Sequence, residues 1–195
     1  MNEGIEECIK EIIHNKDIKL HSVCRMDNWK SDCEKLINQQ INAELYASHV
    51  YRSLSSFFAS DSQGYPGLSK FFKESSHEES EHAEKFIEYQ NIRGGIVSIE
   101  GIDHPDLSIL IDSKSDTSIV YNAFQFALEL EQSIYKKILH ISNITNDPGL
   151  EDFLDDFIKE QIEGQYQLGI KIKQLEHIGK DGHGLWHFDQ QLLKE

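Results

Sequence analysis

The chain has 195 residues and carries 34 acidic side chains against 19 basic ones, which gives a formal net charge of −15. This length is enough for one domain with a sizeable buried core. Apolar residues make up 38% of the chain, too many for a disordered protein. Nucleic acids require a surface rich in lysine and arginine, and the sequence has no such patch. We therefore expect no nucleic-acid partner.

The sequence carries no signal for a membrane or for secretion. It has no run of about 18 apolar residues that would span a bilayer. Its first residues lack the basic and apolar regions of a signal peptide. The three cysteines, Cys8, Cys24 and Cys33, are too few and too clustered for a disulfide framework. We expect no membrane partner and a cytoplasmic location, or secretion if a signal peptide was removed before this sequence begins.

Periodicity predicts a mostly helical chain, because the three prolines, Pro66, Pro105 and Pro148, all lie between periodic stretches. We divide the chain into an N-terminal extension, 1–28, and a main domain, 29–195. The expected helices are 31–58, 66–93, 117–143, a fourth from the break at 146–149 to about 177, and a short fifth at 183–194.

Two local features refine this prediction. The first helix is expected to open with a capping box, because Ser31 and Glu34 have the required spacing. Segment 94–116 lacks helical periodicity and is too long for a tight turn, so we expect it to cross the length of the molecule. The predicted fold is all-α: a four-helix bundle with a long crossover between helices two and three and a short C-terminal helix.

Residues seven positions apart lie on nearly the same face of a helix, and we call such a series a heptad ladder. In each long helix, one such ladder is apolar except at a single polar position. The polar positions are Glu44, Glu79, Glu131 and Gln161, and His82 shares the face of Glu79. A buried carboxylate is costly unless it is paired or binds a metal. Oxygen and nitrogen ligands without thiolates suit iron or manganese. The ladders therefore predict a metal site inside the bundle. The alternative is that the ladders are misphased, so that they do not face the core and their glutamates are solvated.

Five segments over about residues 29–190 resemble eukaryotic-type ferritins. They are Gln-Ile-Asn-Ala-Glu-Leu-Tyr-Ala-Ser (40–48), Ser-His-Glu-Glu-Ser-Glu-His-Ala-Glu-Lys (76–85), Asn-Ile-Arg-Gly-Gly (91–95), Ala-Leu-Glu-Leu-Glu (127–131) and Lys-Glu-Gln (159–161). The chain resembles the heavy-type, catalytic subunit, because light-type subunits lack the glutamate and histidine that stand here as Glu79 and His82. The resemblance implies a ferritin-like four-helix bundle.

The resemblance implies a di-iron ferroxidase centre. One iron is implied on Glu44, Glu79 and His82, and a second on bridging Glu79 with Glu131. The other implied residues of the centre are Tyr51, beside it, and Gln161, near the second iron. Gln161 in place of a further carboxylate is expected to hold that iron weakly, so that product is released.

Further acidic and histidine residues are implied around this centre. Glu78, Glu81, Glu84 and Glu160 lie near the site, and the first three match inner-surface carboxylates that pass Fe(III) to a mineral. Asp152 and Asp155 match the acids of threefold channels. His183 and His187 form a stripe that faces the fourfold axis in the resemblance. The alternative for the glutamates is a solvated helix face. For Asp152 and Asp155 it is an ordinary interaction with the helix dipole, and for the two histidines a surface position.

The implied function is iron storage and detoxification by a self-assembling shell of twenty-four subunits, alone or mixed with another ferritin subunit. Fe(II) is oxidised by O₂ or H₂O₂ and stored as a ferric mineral. No haem is expected, because Met1 and Met26 are the only methionines and neither lies in the second helix. A rubrerythrin-like di-iron enzyme is disfavoured, since the fourth helix lacks a second Glu-x-x-His. A non-catalytic shell protein is disfavoured because Glu44, Glu79, His82 and Glu131 are all present. A DNA-protecting cage of twelve is disfavoured because its subunits lack a fifth helix and build their site differently.

Overall fold

The computed structural model describes residues 25–111, 118–179 and 182–195. Its four long helices are α1 (Ser31–Ala59), α2 (Pro66–Ile92), α3 (Ile119–Ile144) and α4 (Pro148–Ile178), followed by the short α5 (Gly182–Leu192). Helix α1 packs mainly against α2, and α3 against α4. No strand occurs in the described part of the chain. The all-α prediction is confirmed, and each long helix has its predicted extent to within about two residues.

The crossover between α2 and α3 lies along α1, which carries two asparagines that bind its backbone. Asn38 donates to Ile96 O at 2.9 Å and accepts from Ser98 N at 3.0 Å. Asn42 donates to Ser98 O at 2.8 Å and accepts from Glu100 N at 2.7 Å. Asn38 and Asn42 are four residues apart, which corresponds to a rise of about 6 Å along the helix. This distance is close to the length of two extended residues of the crossover. This match lets one face of α1 hold the crossover in register.

The predicted capping box at the start of α1 is wrong. The residue that caps the helix is Lys30, whose backbone is extended and whose side chain makes no capping bond. Ser31 is already helical. The Glu34 carboxylate instead accepts from Ile96 N at 3.1 Å and from the Arg25 guanidinium. The glutamate therefore stabilises the crossover and the segment before α1 rather than the helix terminus.

The start of α4 is joined to the end of α2 by a buried ion pair. Asp147 accepts from Gly149 N at 3.0 Å and so caps α4. The same carboxylate accepts from the Arg93 guanidinium, and both side chains are about 6% exposed. Asn28 donates to it as well, at 2.9 Å. Residues 25–28, which the sequence assigned to the extension, thus contact the bundle, while 1–24 lie outside the described residues.

Helix α5 docks on the first turn of α2 through a close backbone approach. Leu68 N donates to the Asp189 carboxylate at 2.9 Å. A Cβ added to Gly67 would lie 1.9 Å from the backbone oxygen of Asp189, so only glycine fits there. None of the described helices is both long and apolar enough to cross a membrane.

Candidate metal centre

The four heptad ladders all face the interior of the bundle. Every member is buried: Ile37, Glu44, Tyr51 and Phe58; Phe72, Glu79 and Phe86; Phe124, Glu131 and Ile138; Leu154, Gln161, Leu168 and Leu175. The glutamates are therefore not solvated, and the alternative of misphased ladders is excluded. Three carboxylates and one amide meet in the middle of an apolar core.

Glu44, Glu79 and His82 form a compact set of metal-type ligands. One ligand atom from each lies within 4.8 Å of the others, and all three side chains are buried. Among the described residues, the Oε2 atoms of Glu44 and Glu79 have no hydrogen-bond partner. Buried carboxylate oxygens without partners are unfavourable unless a cation satisfies them. Two carboxylates and an imidazole suit Fe(II).

Burial changes the protonation of these carboxyl groups. It raises the pKa of Glu44 well above its usual value, and the nearby Glu79 adds to this effect. Burial, with the charge of Glu131, raises the pKa of Glu79 to about 8. The pKa of Glu131 is also raised by burial. A cation must therefore displace protons to bind here, so binding weakens as the pH falls.

Glu131 lies beside this set but has different partners. Its two oxygens accept hydrogen bonds from the Tyr51 hydroxyl and from Gln161 Nε2, the latter at 2.7 Å. Glu131, Glu79 and His82 line one cavity of about 200 Å³, together with Tyr51 and Gln161. The structure thus brings together all six residues implied at the centre. Three form the ligand cluster, and three form a hydrogen-bonded group next to it.

Gln40 is a residue of the site that the sequence analysis did not identify. Its Nε2 donates to Glu44 Oε1 at 2.6 Å, and its side chain is 1% exposed. It precedes Glu44 by four residues and therefore lies on the same helix face. A second polar residue within the apolar face of α1 was the signal that would have found it.

The acids expected around the centre lie in different places. Glu78 lines the central cavity, whereas Glu81 and Glu84 line a separate depression on the exposed face of α2. Glu160 contacts His82, with 3.1 Å between its Oε2 and the histidine Nε2. The structure therefore brings Glu78 and Glu160 to the site, but not Glu81 and Glu84.

The expected channel residues are exposed on this chain. Asp152 and Asp155 lie near the beginning of α4, and Asp152 lines a depression that continues to Glu160. His183 and His187 lie on the exposed face of α5, with 3.2 Å between their Nε2 atoms. Cys33 is a half-buried thiol. The other two cysteines, in segment 1–24, lie outside the described residues.

Together, the fold and the site define a class: four-helix bundles with a buried carboxylate–histidine cation site between the helices. Residues 34–178 match the family model described as the ferritin-like domain. The chain belongs to the ferritin family, which confirms the family and the fold expected from the motifs. Iron storage in an assembled cage characterises this family, as the motifs predicted.

Several plant and algal ferritins are similar to this chain. It is 43% identical over 170 residues to a chloroplastic ferritin of Malus baccata var. xiaojinensis, which covers 85% of this chain and 66% of that protein. It is 41% identical over 197 residues to chloroplastic ferritin-3 of Glycine max, covering 99% and 75%. The crystal structure of ferritin from the green alga Ulva pertusa matches with a TM-score of 0.84 and 32% identity over both whole chains. The alignments thus span about two thirds to three quarters of the two plant proteins.

Proposed function

We propose that the chain is a heavy-type ferroxidase subunit, which oxidises Fe(II) to Fe(III) inside the bundle and stores the product as a ferric mineral. Iron is the substrate of this reaction. The observation that carries the proposal is the buried cluster of Glu44, Glu79 and His82, in which two carboxylate oxygens have no hydrogen-bond partner in the part of the chain that the structure describes. Membership of the ferritin family supports the same conclusion.

The residues around the cavity suit a reaction of two iron ions. Glu44, Glu79 and His82 bind the first Fe(II), and Glu79 bridges to a second on Glu131. Each Fe(II) gives one electron, so O₂ takes up two electrons together and no superoxide leaves the site. Carboxylates are hard ligands that favour Fe(III) over Fe(II), which drives the oxidation forward.

Native mass measurement together with aerobic addition of Fe(II) tests this function. We expect a shell of twenty-four subunits that turns amber within seconds to minutes and retains the ferric iron through gel filtration. O₂ and H₂O₂ are compared as oxidants. A small oligomer, or a shell in which iron oxidises no faster than in buffer, would contradict the proposal.

Entry of iron is proposed along the beginning of α4. Three copies each of Asp152 and Asp155 line a threefold channel in the proposed shell and attract Fe(II) by their charge. Both side chains are exposed on the isolated chain, as such a role requires.

We also propose a plastid location in place of the expected cytoplasmic one. The proposal rests on the chloroplastic ferritins of Malus, Glycine and other plants that the chain resembles. Fractionation of the source cells, with an antibody against this chain, is expected to place it with plastid markers. Recovery with cytosolic markers would reject a plastid location.

The amide of Gln161 is expected to set the rate of iron release. It donates to Glu131 at 2.7 Å, and a glutamate there would place two carboxylates side by side that only a proton or a cation can stabilise. We expect Gln161→Glu to leave the first turnover of Fe(II) oxidation unchanged and to slow later turnovers several-fold, because Fe(III) is held longer. Stopped-flow kinetics with repeated Fe(II) additions measures both phases.

Gln174→Glu is the matched control for this substitution. It introduces the same charge at an exposed position further along α4. Its later turnovers are expected to match the wild type. Unchanged repeated turnover in Gln161→Glu would reject the proposed role of the amide.

A further inference from the structure

His82, which lies on α2, is held by side chains of α4. Its Nε2 lies 3.1 Å from Glu160 Oε2, while its Nδ1 lies 3.7 Å from Glu79 Oε2. The two ring nitrogens therefore face different partners. Nδ1 points toward the ligand cluster, and Nε2 points toward a carboxylate at the edge of the bundle.

Two further contacts restrict the ring and its carboxylate partner. Phe157, one turn before Gln161 on α4, meets the His82 ring edge-on, with 5.4 Å between ring centres. Lys85 Nζ lies 3.9 Å from Glu160 Oε1. Both oxygens of Glu160 thus already have partners, Oε2 with His82 and Oε1 with Lys85. Glu44 and Glu79 differ in this respect, because the Oε2 atom of each has no hydrogen-bond partner within residues 25–111, 118–179 and 182–195.

A histidine that binds a cation through Nδ1 must carry its proton on Nε2. A carboxylate that accepts a hydrogen bond from Nε2–H fixes this tautomer, orients the ring and strengthens the nitrogen donor. We propose that Glu160 is a positioning residue that holds His82 with Nδ1 directed at the cation, rather than an iron ligand or a carrier of iron. This inference rests on the proposed function, in that it requires a cation at the cluster of Glu44, Glu79 and His82.

The test uses the assembled protein with Zn(II) and Co(II), which bind without the redox chemistry of iron. Glu160→Leu is expected to weaken binding at the central site by about 10–100-fold, the usual effect of losing such a partner. Glu160→Gln keeps an oxygen acceptor for Nε2–H and is expected to stay within about threefold of wild type. Glu163→Leu removes the same charge from an exposed position of α4 and serves as the matched control.

Two readouts separate positioning from a general effect of charge or stability. The first is the visible absorption band of Co(II) at the centre, identified as the band lost in the variant E79Q/H82A. We expect this band to change in Glu160→Leu and to be retained in Glu160→Gln. The second is the effect of Glu160→Leu on Zn(II) affinity in a His82→Ala background, where it is expected to disappear.

Equal losses in Glu160→Gln and Glu160→Leu would overturn the inference, because they would show that only the charge of Glu160 matters. A loss that persists in the His82→Ala background would overturn it as well. So would wild-type affinity in Glu160→Leu. If the wild-type protein itself binds neither Zn(II) nor Co(II) at the cluster and does not oxidise Fe(II), it is the proposed function that fails.

Discussion

Replacing Glu79 with glutamine and His82 with alanine together is expected to abolish rapid oxidation of Fe(II). These residues supply two of the three ligands in the compact cluster, and Glu79 is also the proposed bridge to the second iron. Loss of outer-shell partners alone lowers metal affinity or activity by 10–100-fold, so we expect a fall of more than about 100-fold in the initial rate. Stopped-flow absorbance under air, with Fe(II) at two equivalents per subunit, measures this rate.

The double variant is expected to fold and assemble normally. Burial raises the pKa of Glu79 to about 8, so at neutral pH the carboxyl is largely protonated before a cation binds, and glutamine is a neutral substitute of the same shape. The native mass of the variant should therefore match the wild type, and its thermal midpoint should fall only by the cost of removing the buried His82 ring from its contact with Phe157. His77→Ala/Glu81→Gln changes the same residue types on the exposed face of α2 and should oxidise iron at the wild-type rate. A double variant of Glu79 and His82 that oxidises iron as fast as wild type would refute the assigned centre.

Replacing Arg93 with methionine is expected to give the largest loss of stability. The substitution leaves Asp147 buried without its cationic partner, and Asp147 also caps α4 and accepts from Asn28. Breaking one side of a buried ion pair costs about 3–5 kcal/mol. The Arg93 guanidinium also packs on the Trp29 ring, 4.6 Å from the ring centre, and this contact is lost as well. Denaturant unfolding of the dissociated subunit at pH 7, or the thermal midpoint of the shell, measures the loss.

The pH dependence of this loss identifies its electrostatic origin. The hydrogen bond from Arg93 lowers the pKa of Asp147 below its usual value. A carboxyl with a lowered pKa in the folded state stabilises the fold above its unfolded pKa, about 3.9, and this contribution disappears as the pH falls further. The stability difference between wild type and Arg93→Met should therefore shrink below about pH 4 to the part that comes from the contact with Trp29.

The exposed pair between Lys159 and Asp156, separated by 3.1 Å, provides the control. Lys159→Met should leave the stability almost unchanged, because solvent screens the pair. An Arg93→Met variant as stable as Lys159→Met would show that the buried pair does not hold α2 to α4.

Much of the centre was predictable because a helix repeats its facing direction almost every seven residues. Glu44, Glu79, Glu131 and Gln161 each interrupt an apolar ladder, and all four proved to be buried. Periodicity also predicted the helix bounds and the long crossover. Local spacing was less reliable, since Glu34 had the position of a capping residue but bonds to Ile96 and Arg25 instead.

Two side-chain pairings could not be predicted, because their members are far apart in the sequence. His82 and Glu160 are separated by 78 positions, and Arg93 and Asp147 by 54. No helical repeat relates such residues, so neither pairing follows from the pattern of one helix considered alone. Gln40 was closer to being predictable, since it precedes Glu44 by one helical turn.

The sequence by itself determined which faces of the four helices are buried and which polar side chains those faces carry, because both follow from the period of the helix. Only the tertiary structure decided how those side chains are divided. Glu44, Glu79 and His82 form one ligand cluster in the structure. Glu131 instead accepts hydrogen bonds from Tyr51 and Gln161. Glu81 and Glu84 lie away from the site. The physical reason is that packing across the bundle sets the rotation of each helix and the rotamers of its side chains. The helical period shows only that several polar side chains face the core, and hydrogen bonds and charges then determine which of them become partners.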